Sequence, residues 1–149
     1  MLEVDLSNYD YVIATPPCNY WSYARGNRCS QYAKDTMHLL PSILDKLIKL
    51  NKPFIVENVR NAPRFKEHGL LPREDCYTYI IGRHTYWSNV LFDADKIDQR
   101  QDFVFHGYTI QYDDMENKSH QGGYNVFNVI ERFLYTIHEN EKMKEGMIY

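Results

Sequence analysis

The chain has 149 residues, of which 44% are hydrophobic, 25% charged and 15% aromatic, enough for one domain with a sizeable core. Its 17 basic and 20 acidic residues leave a net charge of −3, which excludes a polycationic clamp and confines any nucleic-acid contact to a local patch. The 3 cysteines follow no disulfide framework, no apolar run approaches the ~20 residues of a membrane span, and no leader-like start is seen, so a cytoplasmic, non-membrane protein is expected.

The run Tyr11-Val12-Ile13-Ala14-Thr15 predicts a strand over 11–15, followed by a loop over 16–35. A helix is predicted near 39–50, with Leu40, Ile43, Leu44, Leu47 and Ile48 on one face and Pro41 tolerated in its first turn. Phe54-Ile55-Val56 predicts a second strand over 53–57, and a loop is predicted over 58–75. Strand, helix and strand make a parallel βαβ unit, expected to be right-handed. Cys76 to Ile81 and Tyr86 to Phe92 read as two further strands joined by a turn, Gly82-Arg83-His84-Thr85. A polar stretch comes next. The last element is a helix from Asn125 to about His138, with Val126, Val129, Ile130, Phe133, Leu134 and Ile137 at helical spacing. The expected class is α/β in a single domain.

The most informative segment is Pro16-Pro17-Cys18-Asn19-Tyr20-Trp21-Ser22, directly after the first strand. The prolines restrict the backbone ahead of a thiol. Glu57-Asn58-Val59 closes the second predicted strand, so a thiol and a carboxylate face one crevice at the carboxyl edge of the sheet, where ligands of open α/β sheets bind. Tyr20, Trp21, Tyr23, Arg25 and Arg28 supply rings to stack on bases and cations for phosphates. The plainer alternatives are a small buried cysteine and a solvated or helix-capping glutamate. Metal binding is not expected, because Cys18, Cys29 and Cys76 form no Cys-x-x-Cys pair and the histidines are scattered.

Pro17-Cys18 with an aromatic and Ser22 in Cys-x-x-[Phe/Trp]-Ser, then Ala24, then Glu57-Asn58-Val59, resemble the motifs of the DNA (cytosine-5) methyltransferases, particularly short phage-type members. Arg83 is the nearest match to the family's arginine motif, whose usual Gln-x-Arg-x-Arg spacing is absent. Trp87-Ser88-Asn89 looks like the phage-type form of that motif. Gln121-Gly122-Gly123-Tyr124-Asn125-Val126 faintly resembles the closing Gln-x-x-Gly-Asn-x-Val motif, and a Gly-Gly loop capped by Asn125 accounts for it equally well.

The resemblance implies a partial Rossmann-like methyltransferase sheet, a parallel βαβ followed by an antiparallel hairpin and a C-terminal helix. It implies transfer of a methyl group from S-adenosylmethionine to carbon 5 of a flipped cytosine in DNA, as in restriction–modification systems. Cys18 would add to carbon 6 as the nucleophile, Glu57 would hold and protonate the base edge, and Arg83 would help hold the cytosine. Pro17, Trp21, Ser22, Arg25, Arg28 and Asn58 would contact substrate, and Pro16, Asn125 and Val126 are the candidate cofactor contacts. The family's glycine-rich cofactor turn has no counterpart in the sequence. A truncated catalytic domain is therefore expected, with a second chain supplying the cofactor half, or a homodimer, at an exposed sheet edge. The alternatives are a catalytically silent DNA-binding or interaction module, and an exocyclic-amino methyltransferase in which Thr15-Pro16-Pro17-Cys18 stands for the Ser/Asp-Pro-Pro-Tyr loop.

Overall fold

The computed structural model describes residues 3–21, 30–60, 62, 73–93, 102–106, 109–113 and 126–148. Along the chain run β1 (Val12–Ala14), α1 (Gln31–Thr36), α2 (Leu39–Leu50), β2 (Phe54–Val59), β3 (Tyr77–Ile81), β4 (His84–Ser88), β5 (Asp102–His106), β6 (Thr109–Asp113) and α3 (Val126–Ile148). The strands form one six-stranded mixed sheet in the order β1-β2-β4-β3-β6-β5. β1 and β2 are parallel, β4 is antiparallel to both β2 and β3, β6 is parallel to β3, and β5 and β6 are antiparallel. A parallel strand-helix-strand unit followed by an antiparallel hairpin and a C-terminal helix is thus present.

α2 forms where the 3.6-residue apolar stripe predicts it, and its Leu40, Ile43, Leu44 and Leu47 are buried. The helix stops at Asn51, whose φ of 59° gives a left-handed C-cap. Lys52 and Pro53 then lead into β2. The segment before β1 is fastened by lysines: Lys46 Nζ donates to the Val4 carbonyl at 2.6 Å, and Lys52 Nζ donates to the carbonyls of Ser7 and Tyr9.

Alternation along the strands divides the core. On one side Ala14, Phe54, Val56 and Trp87 pack with the α2 stripe and Trp21. On the other, Ile55, Tyr79, Ile81 and Tyr86 pack with Val129, Phe133 and Ile137 of α3. Both layers bury large side chains, which is where most of the apolar driving force lies.

Several boundaries differ from the sequence expectation. The predicted loop 16–35 contains α1, started by Ser30, whose Oγ accepts from Ala33 N at 3.0 Å. β2 continues to Val59, so Glu57 and Asn58 lie within the strand and not past its end. The β3–β4 turn shrinks to Gly82-Arg83, with Gly82 at φ 59° as a tight primed turn requires, and His84 and Thr85 join β4. β4 ends at Ser88 because Val90 and Phe92 are drawn off by a side chain. The Tyr79 hydroxyl donates to the Val90 carbonyl at 2.9 Å and accepts from Phe92 N at 3.0 Å. β5 and β6 occupy the predicted polar stretch, where β6 gains a ladder from β3 and β5 one from β6 that composition does not reveal. α3 continues ten residues past the predicted end at His138, since Glu, Lys and Met sustain a helix after its apolar stripe has stopped. Among the described residues, no helix is long and apolar enough to cross a membrane.

Candidate active site

β1 and β2 run parallel with Ala14 opposite Val56, so the loop after β1 and the last residues of β2 leave the same edge of the sheet. Cys18 stands on that loop as an exposed free thiol, after a half-buried Pro17. The loop turns tightly, with Trp21 N donating to the Cys18 carbonyl at 3.0 Å. Its anchor is Asn58. The fully buried amide Nδ2 donates to the Pro16 carbonyl at 3.1 Å, and Oδ1 accepts from Val59 N at 2.8 Å. A buried amide that satisfies two backbone groups holds the Cys18 loop against β2.

Glu57, one residue earlier, projects to the opposite face of β2. Its Oε1 lies 2.7 Å from His84 Nδ1, with side-chain exposures of 17% and 28%. The register explains the contact: Glu57 faces Tyr86 and Val59 faces His84, so Glu57 and His84 are diagonal neighbours on one face of an antiparallel pair. His84 was not among the residues the sequence pointed to. Placing the turn at Gly82-Arg83 alone would have brought it into strand register with Glu57.

Tyr86 stands beside the pair, its ring 6.2 Å from the His84 ring. Burial pushes its phenol well above the usual tyrosine range, and the Glu57 charge pushes it further the same way. Its buried hydroxyl has no hydrogen-bond partner among the described residues.

The remaining predicted site residues divide as follows. Arg83 is exposed at the turn, and it is His84, not Arg83, that touches Glu57. The turn is braced by Arg60, whose N donates to the Arg83 carbonyl at 2.9 Å and whose Nη1 donates to the Gly82 carbonyl at 2.8 Å. Trp21 is a correction: it is completely buried against the α2 layer, edge-on to Tyr20 with centroids 4.9 Å apart, and so is closed to a stacking base. Asn58 is likewise a clamp on Pro16, not a surface for DNA. Ser22, Arg25, Arg28 and Asn125 lie outside the described residues. Ser88 and Asn89 fasten β4 to the start of β2: Ser88 Oγ donates to the Phe54 carbonyl at 2.6 Å, and Asn89 Oδ1 accepts from Phe54 N at 3.0 Å.

The described residues do not fit S-adenosylmethionine. The Pro16 carbonyl is already engaged by Asn58, and Val126 packs against the α3 layer. A cavity of about 180 Å³ does lie beside β1, between that strand, α2 and the N-terminal segment. Its lining is apolar apart from Lys46, whose ammonium serves the Val4 carbonyl, so nothing there matches an amino-acid and nucleoside ligand.

No family model, no curated protein and no solved structure matches the chain.

Proposed function

We propose that the chain is the catalytic portion of a DNA (cytosine-5) methyltransferase, with Cys18 as nucleophile and Glu57 as the acid that engages the base. The observation that carries this reading is the clamp between the two motifs. Asn58 of Glu57-Asn58-Val59 holds the carbonyl of Pro16 in Pro16-Pro17-Cys18 across a parallel strand pair. Two segments far apart in sequence are thereby held at one sheet edge, which supports the reading.

In the reaction, the Cys18 thiolate forms a bond to carbon 6 of cytosine. The C5–C6 π pair moves to C4–C5, and the displaced C4–N3 pair takes a proton at N3 from the Glu57 carboxyl group. Carbon 5 is then an enamine carbon able to accept an electrophile. Water takes the original carbon 5 proton, the C5–H pair forms the C5–C6 double bond as the C6–S bond breaks and releases the thiolate, and the N3 proton returns to Glu57.

The methyl donor of this reaction class is S-adenosylmethionine, and the reading gives its binding to a second chain or a second copy of this one. The place of β1 as the outer strand of the sheet among the described residues supports that assignment, since a strand edge invites pairing. A cytoplasmic location goes with the same reading.

The test uses carbon 5 itself, because the enamine exchanges its carbon 5 hydrogen with water whether or not a methyl donor is present. Single-stranded DNA carrying [5-³H]deoxycytidine is expected to release tritium with the intact chain, and Cys18→Ala is expected to abolish release. Equal release from both proteins, or none from either, leaves the silent DNA-binding module as the better reading. Equilibrium binding of labelled S-adenosylmethionine should be very weak for the chain alone, and tight binding without a partner would contradict the assignment of the cofactor to another chain.

A further inference from the structure

We infer that His84 is a positioning residue that decides which oxygen of the Glu57 carboxyl group carries the working proton. The inference rests on the reading of Glu57 as the acid for the base, and it comes from geometry alone: Nδ1 of His84 lies 2.7 Å from Oε1 of Glu57 across the β2–β4 ladder.

An acid that protonates a ring nitrogen has to present an O–H, and a carboxyl group has two oxygens to place it on. In the neutral imidazole that carries its proton on Nδ1, the N–H donates to Oε1. An oxygen receiving a hydrogen bond from a donor is a poor site for a second proton facing that donor. The acidic hydrogen is therefore directed to Oε2, the oxygen left for substrate. The same contact fixes the rotation of the carboxyl group, and strand register fixes the imidazole, since His84 sits opposite both Val59 and Ile81 in the sheet.

The surroundings suit this division. The pair is half-buried, so a charge-assisted contact there is screened less than on an open surface. Among the described residues, the titratable and charged groups near His84 are Glu57 on β2, Tyr86 on its own strand, and Arg60 and Arg83 at the turn. Arg60 is turned to the Gly82 carbonyl, Arg83 is exposed, and Tyr86 is held neutral by burial. The imidazole is thus the neighbour that engages the carboxyl group.

Two measurements decide it. The first needs no activity: nitrogen-resolved NMR of the imidazole in the intact chain, in mildly alkaline buffer, should show the Nδ1–H tautomer, and Glu57→Gln should change that signal. The Nε2–H tautomer would overturn the inference whatever the chain does to DNA. The second is tritium release from [5-³H]deoxycytidine DNA, with each variant checked for folding by circular dichroism. His84→Ala is expected to slow release about 10²-fold, in the range of a lost acid catalyst. His84→Asn, whose Nδ2–H can donate from nearly the same place, should recover most of that loss. A folded His84→Ala variant releasing tritium at the parent rate overturns the inference and leaves the proposed role of Cys18 standing. Absence of Cys18-dependent release in the parent chain counts against the methyltransferase reading, and the tautomer still decides His84.

Discussion

Glu57 and Asn58 are consecutive residues of one strand with opposite fates. Asn58 turns to the α2 side, where it is 1% exposed and spends both ends of its amide on backbone groups. Glu57 turns to the α3 side, keeps partial access to solvent and touches a titratable imidazole. The period-2 alternation of a strand makes this division automatic. The lesson is that a motif read as a unit in sequence is two devices in space. One face holds the Cys18 loop in place, and the other holds the Glu57–His84 pair.

The comparison can be broken most forcefully at the layers beneath the two devices. Trp87→Ala on the α2 side and Phe133→Ala on the α3 side should each cost about 3–5 kcal/mol in denaturant unfolding, as large-to-small changes in packed cores do. A much smaller loss on one side would show that the faces are unequally packed.

Alkaline pH should weaken the α2 side next. Burial pushes the Cys76 thiol up from 9.0 to about 12, so the folded chain keeps a neutral thiol that the unfolded chain ionises. The sign follows directly: this contribution is full below the unfolded value and is lost as pH climbs toward the folded one. Stability should fall by about 1.4 kcal/mol per pH unit through that window from this group. Cys76→Ala should flatten the slope. In native protein a thiol reagent should label Cys18 and spare Cys76.

Asn58→Ala should cost about 1–3 kcal/mol, the penalty for stranding buried backbone partners. It should also raise protease sensitivity in the Cys18 loop. Glu57→Gln is expected to show the smallest stability effect, below about 1 kcal/mol, because the amide can still meet the imidazole in this half-buried pair. Its effect on tritium release should nevertheless approach that of Cys18→Ala. Comparable stability losses for Asn58→Ala and Glu57→Gln would erase the distinction between the two faces.

Much of the framework was legible in the amino-acid sequence. The α2 stripe and its Pro41 start determined a helix over Leu39–Leu50, and the apolar runs placed β1, β2 and the β3–β4 hairpin because periodicity is a local property of the chain. The stretch from Asn89 to Asp113 was not legible. Tyr79 pulls Val90 and Phe92 away from β4, and β6 finds its place only against β3. Composition likewise nominated Trp21 as a stacking surface, and packing against the α2 layer enclosed it. Sequence alone named Cys18 and Glu57 as chemical groups, since residue type and the order of motifs are carried in the chain. Which neighbour each would meet was decided by strand register. The two residues by which the hairpin turn is shorter than expected determine whether His84 is a turn residue in water or the partner of Glu57, and that choice is made by the ladder between β2 and β4.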